Sequence, residues 1–238
     1  MQSTIKFSLL VLMIAFAATP AAAQRMAVKN LEKYDKQLIH FGFLLGINKT
    51  NFKVVKADDF YKGDSVLILE PKGQSGFNLG IVTDLRLSDN LNLRFIPELS
   101  FSQRDIKYQL IYPNKTTPEV IKKVESTFVN IPLQLKFKSK RVGNYRFYVI
   151  GGMRYAIDLV SQANVQTEND VAIVKLKRED YGYDIGFGMD CYLELFKFSP
   201  EIKVFQGLPN ILAEDAATFT TSINSLHSRI FTLSFTFE

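Results

Sequence analysis

The chain has 238 residues, enough for one ordinary domain and too few for two large ones. Its 47% hydrophobic content with 20 Phe and ten Tyr excludes a disordered chain, and its single cysteine excludes a disulfide framework, a zinc–cysteine cluster and a CxxC redox pair. The formal charge of +5 comes without a Lys/Arg stripe interleaved with aromatics, so no nucleic-acid partner is expected.

Residues 1–23 read as a secretory signal peptide: Lys6 is the basic start, residues 7–17 are an apolar core, and Ala21, Ala22 and Ala23 form a small-residue cleavage site before Gln24. No lipobox can be formed, because the only cysteine is Cys191. Residues 24–38 are expected to be a periplasmic lead, and residues 39–238 one barrel domain. Beyond residue 23 no stretch approaches the roughly 18 apolar residues of a membrane helix, so a membrane-spanning reading requires strands.

Period-two alternation then recurs in eight segments, at 39–48, 76–87, 91–102, 129–138, 145–159, 181–193, 198–205 and 228–237. In the second, Phe77, Leu79, Ile81, Leu85 and Leu87 share one face, while Gly76, Asn78, Gly80, Asp84 and Arg86 share the other. Connections alternate between long (49–75, 103–126, 160–177, 206–226) and short (88–90, 139–144, 194–197). An outer-membrane barrel of even strand number produces this rhythm, with tight periplasmic turns and long outer loops. The fold expected is therefore all-β, an eight-stranded antiparallel transmembrane β-barrel in the outer membrane of a Gram-negative bacterium.

A soluble lipocalin-like barrel would bury the apolar face and wet the polar one. Glycine placement favours the opposite. Eight of 13 glycines lie on polar faces (Gly42, Gly46, Gly76, Gly80, Gly152, Gly182, Gly186, Gly188), where a crowded lumen gains from a missing side chain and a solvated surface does not. Tyr155, Tyr181 and Tyr183 are expected at the outer aromatic girdle, and Phe137, Phe147, Phe198 and Phe237 at the inner one.

With the polar face inward, the lumen receives Asp84, Glu98, Asp158, Asp184, Asp190, Glu194 and Glu201 together with Arg86, Arg94, Lys136, Lys138, Arg146, Arg154 and Lys203. These balanced charges are expected to form an internal ion-pair network that fills the bore; a conducting pore is the lesser alternative. Pro97, Pro132 and Pro200 fall within strands of a closed barrel and are expected to mark bulges.

Chemistry-bearing residues are sparse. His40 and His227 fall at opposite ends of the barrel and cannot share a metal; His227 with Ser225, Ser228 and Asp215 is a thin basis for a rim hydrolase. Cys191 faces outward as a small apolar filler, and the sequons at Asn48 and Asn114 are uninformative in a bacterial protein. Gly182, Gly186 and Gly188 follow strand spacing and make no phosphate loop. No catalytic residue, cofactor, metal or small-molecule substrate is expected.

Several stretches resemble the PorT family of Bacteroidetes outer-membrane barrels: His40-Phe41-Gly42-Phe43, Leu45-Gly46-Ile47-Asn48, Gly76-Phe77-Asn78-Leu79-Gly80-Ile81-Val82, Asn92-Leu93-Arg94-Phe95-Ile96-Pro97, Ile131-Pro132-Leu133 and Ser199-Pro200-Glu201-Ile202. The specific part runs from His40 to Arg104. The resemblance implies a component of the type IX secretion machinery, embedded in outer-membrane lipid, partnered by other secretion proteins and serving export of proteinases, adhesins or gliding components. The family supplies no catalytic residue to carry over. One departure is that Glu238 follows Phe237, where such barrels often end in an aromatic residue. The alternatives are a small barrel for adhesion or envelope integrity, and a small-solute porin.

Overall fold

A computed structural model describes residues 28–56, 68–109, 111–112, 115–116, 120–160, 176–212 and 223–238. The signal reading, Asp215 and Asn114 lie outside the described residues. After a short 3-10 turn (Tyr34–Lys36) come β1 (Ile39–Lys56), β2 (Ile68–Arg86), β3 (Leu91–Phe95), β4 (Glu98–Gln109), a two-residue pair β5 (Ile111–Tyr112) and β6 (Lys115–Thr116), then β7 (Val120–Lys138), β8 (Tyr145–Asp158), β9 (Glu179–Tyr192), β10 (Lys197–Gly207) and β11 (Ile223–Phe237). All ladders are antiparallel; β3 and β4 together occupy one place between β2 and β7, and β11 returns to β1. The result is a closed ring of eight staves.

The registers give its geometry. Stepping from partner to partner, Phe41 leads to Thr83, Phe95, Leu133, Met153, Tyr183, Gln206 and Arg229, and re-enters β1 at Asn51, ten residues further on. With strands about 4.8 Å apart and a rise of about 3.3 Å per residue, eight strands staggered by ten residues tilt by about 41° and lie about 8 Å from the barrel axis. That radius holds one layer of side chains from each wall and little else.

The two faces are sorted as hydrocarbon requires. Phe41, Ile47, Ile81, Phe137, Met153, Ile185 and Ile202 point outward and are exposed, whereas Asp84, Arg94, Gln134, Lys136, Asp184 and Glu201 are buried inside. Water would not stabilise such a belt, so it belongs in lipid. At Gly188, the lumen's need for small residues is direct: an added Cβ would stand 2.3 Å from the Tyr148 ring, which occupies that space. A small apolar cluster of Leu44, Val82 and Ile96 also lies inside.

Two expectations fail. None of the three prolines shifts the register: the partners of β3 and β4 run in step past Pro97 on both sides, as do those of β7 past Pro132 and of β10 past Pro200. Each proline loses only its own donor, and the Pro97 carbonyl still accepts the Ile81 N–H at 3.1 Å, so the wall is interrupted at Ile96 and Pro97 without being kinked. Register shifts occur instead at Val55/Lys56 and between Gly73 and Phe77. Second, β1, β2, β4 and β7 run well past the expected segments into stretches assigned to loops. Outside lipid a strand needs no apolar face, so alternation fades while pairing continues.

Candidate functional site: the lumen and its cap

β3 and β10 lie on opposite sides of the ring, so the ion pair between Arg94 Nη1 and Glu201 Oε2, at 2.9 Å, spans the bore. Arg94 is wholly buried and also lies 3.6 Å from carboxylate oxygens of Asp84 and Glu238. Glu201 further accepts the Tyr148 hydroxyl at 2.9 Å and sits 3.5 Å from Lys203 Nζ. Beside this centre Lys136 donates to Asp190 at 2.8 Å and stands over the Tyr148 ring at 3.9 Å, while Ser199 donates to the same Asp190 oxygen at 2.7 Å. Asn92 donates to Asp84.

A second cluster lies toward the loop end. Arg154 grips Asp184 through two bonds of 2.6 and 3.0 Å, Gln134 donates to the same carboxylate at 3.2 Å, and Arg154 reaches Glu98 at 3.9 Å. Glu98 in turn accepts Asn130 and Asn78, and Asn78 joins Asn48 and Ser100. Buried charge is tolerated only with this density of partners, because taking an unpaired ion out of water is far costlier. The sequon residue Asn48 is thus a buried luminal amide.

The turn end is closed by residues 28–38. Asp35 receives Arg141 at 3.3 Å, Arg146 at 3.1 Å and the Tyr192 hydroxyl at 2.8 Å. The Asn30 backbone N–H donates to Asn144 Oδ1 at 3.0 Å, the Asn30 side chain donates to the Tyr192 carbonyl, and the Asn144 side chain donates to the Val28 carbonyl. Tyr34 stacks on His40 with ring centres 4.0 Å apart and donates its hydroxyl to Glu238 at 3.0 Å. Glu238 turns into the mouth, pairing with Lys197 at 2.9 Å. Burial raises the pKa of the Asp35 carboxyl, but Tyr192, Arg146 and Arg141 outweigh it and hold the group below its ordinary value of 3.8. At Glu238 burial is likewise outweighed, by Lys197, Arg94 and Lys136, and the carboxyl stays well below the usual range.

Of the residues named from sequence, Asp84, Arg94, Glu98, Lys136, Lys138, Arg154, Asp158, Asp184, Asp190, Glu201 and Lys203 lie buried on the inner face. Three differ. Arg86 has reached the turn-end rim, where it pairs with exposed Asp89; Arg146 lies in the mouth on Asp35; and Glu194 is exposed in the turn before β10. All three fall at strand ends, where the ladder stops directing side chains into the bore. Tyr148, Lys197, Glu238 and Asp35 were missed. The first three continue the inward parity of β8, β10 and β11, a signal the sequence carried; Asp35 lies outside any alternating segment. His40 is packed in the mouth, donating from Nε2 to the Tyr34 carbonyl at 2.7 Å, and His227 pairs in register with Lys53 near the other end. Cys191 is half-buried at the edge of the outward face.

A family model described as "Outer membrane protein beta-barrel domain" matches residues 22–213. No curated protein matches the chain. Among solved structures, Neisserial surface protein A is similar at 10% identity and a TM-score of 0.43, covering 84% of this chain and 98% of that one. OprG of Pseudomonas aeruginosa is similar at 12% identity and 0.42, covering 84% and 91%. Ail, the attachment invasion locus protein of Yersinia pestis, is similar at 12% and 0.36, covering 84% and 99%. The closed ring, the lipid-facing belt and the family match place the barrel in the outer membrane, with the short turns and the lead on the periplasmic side. The chain belongs to the outer-membrane protein β-barrel domain family.

Proposed function

We propose that this barrel is a sealed, non-catalytic accessory or assembly factor of the type IX secretion machinery, acting through its surfaces on other secretion proteins and not as the conduit. The observation that carries the sealed reading is the Arg94–Glu201 pair spanning the bore, backed by the cap of residues 28–38. The type IX assignment rests on the resemblance of the stretch from His40 to Arg104 to the PorT family. Neither cofactor nor small-molecule substrate enters this role, and export of proteinases, adhesins or gliding components would depend on the barrel's presence.

A clean deletion tests it. Secretion substrates are expected to accumulate in the periplasm and to be released again on complementation. Normal secretion combined with lost adhesion or a leaky envelope would select the alternative, a small adhesion or envelope-integrity barrel. A steady single-channel conductance of the purified protein in planar bilayers would instead select a porin.

A further inference from the structure

The periplasmic mouth carries a cleft of about 610 Å³, formed between the lead, the β2–β3 turn and the β7–β8 turn. Six cationic and three acidic side chains line it. The acids are largely spent on the fold: Asp35 holds Arg141 and Arg146, and Asp89 holds Arg86. Lys29, Lys36 and Lys140 remain, all exposed and without an ion pair among the described residues; Glu32 is the only other acid in the lining. Two of these lysines come from the lead and one from the β7–β8 turn. The Asn30–Asn144 and Asp35–Arg141 bonds lock those two elements together, so the three charges are presented on one fixed surface.

We propose that this cleft docks an acidic polypeptide segment of a periplasmic partner. The lysines come from two elements that border an open cleft, an arrangement that suits a chain carrying more than one carboxylate. Uncommitted cations on a rigid polar surface lose little on pairing with a mobile acidic chain, and they steer its approach. This inference rests on the barrel's orientation and is independent of the type IX reading.

The test uses the full chain in zwitterionic detergent with fluorescein-labelled octaglutamate, followed by anisotropy. Saturable binding at low salt is expected, lost as ionic strength shortens the Debye length below about 10 Å. The triple variant Lys29→Glu, Lys36→Glu, Lys140→Glu should bind at least about tenfold more weakly, while keeping heat-modifiable migration. Should the charge-reversed chain fail to fold, Lys29→Gln, Lys36→Gln, Lys140→Gln serves in its place. Absence of binding by the wild type, or equal affinity of wild type and folded variant, overturns the proposal. So does displacement by inorganic phosphate at matched charge concentration, which would make the cleft a simple anion site.

Discussion

Replacing Arg94 with Met keeps most of the side chain's length and removes a charge that three carboxylates share. Glu201 stands at 2.9 Å, with Asp84 and Glu238 each at 3.6 Å, and all are buried. After the change Glu201 retains Lys203 and Glu238 retains Lys197, but Asp84 loses the one cation within 4 Å of it among the described residues and keeps the Asn92 amide. Removing one member of a buried ion cluster costs about 3–5 kcal/mol, because the abandoned charge stays out of water. The loss is expected in urea unfolding from phospholipid vesicles, followed by far-UV circular dichroism since the chain has no Trp. Arg86→Met is the control; its pair with Asp89 is solvent-exposed, and the change should cost at most about 0.5 kcal/mol. Adding Asp84→Asn to Arg94→Met, which neutralises the stranded carboxylate, should recover about 1 kcal/mol or more through coupling. If Arg94→Met costs no more than the Arg86 control, the lumen is hydrated enough to screen its charges, and the sealed bore is wrong.

Gly188→Ala drives a methyl into the Tyr148 ring and breaks its bond to Glu201; a loss of about 1–3 kcal/mol is expected, partly recovered by Tyr148→Leu, in the same unfolding assay. Because the Asp35 pKa lies below 3.8 when the lead is docked, docking is favoured fully above that value and weakens as pH falls through the lower, docked value. Hydrogen exchange of residues 28–38 should therefore accelerate at strongly acidic pH, and Asp35→Asn should reproduce the effect at pH 7; exchange indifferent to both would refute the latch. Ile81→Lys places a charge in the lipid belt and should lower folding stability in vesicles by about 2–4 kcal/mol, whereas Lys49→Ile, beyond that belt, should not.

The staves were legible because hydrocarbon imposes a strict rule: Phe77, Leu79 and Ile81 had to alternate with Asn78, Gly80 and Val82, and a one-residue slip would invert every face. The same rule explains what was not legible. Beyond the bilayer the outward positions of β1 turn polar at Lys49, Asn51 and Lys53 while its pairing continues, so only backbone ladders define such stretches. The bulges assigned to Pro97, Pro132 and Pro200 overlooked that a carbonyl such as that of Pro97 can keep its ladder bond when the donor is absent. Opposite charges on the inner face were visible as a set, but pairing across the bore depends on the ten-residue stagger, which only closure of β11 onto β1 fixes. The cap escaped because Asp35 acts through tertiary contacts that no local pattern announces.

The unequal lengths of the staves give the molecule a front and a back. At a tilt of about 41° each residue climbs about 2.5 Å along the membrane normal. The 11 residues of β10 then rise about 27 Å, close to the height of the apolar belt, while the 19 residues of β2 and of β7 rise about 47 Å. Headgroups account for only about 5–7 Å on each side of a bilayer. Among the described residues the wall of β2 and β7 therefore stands about 20 Å taller than that of β10. A neighbour in the membrane thus meets a taller strand wall on the β2 and β7 side than at β10.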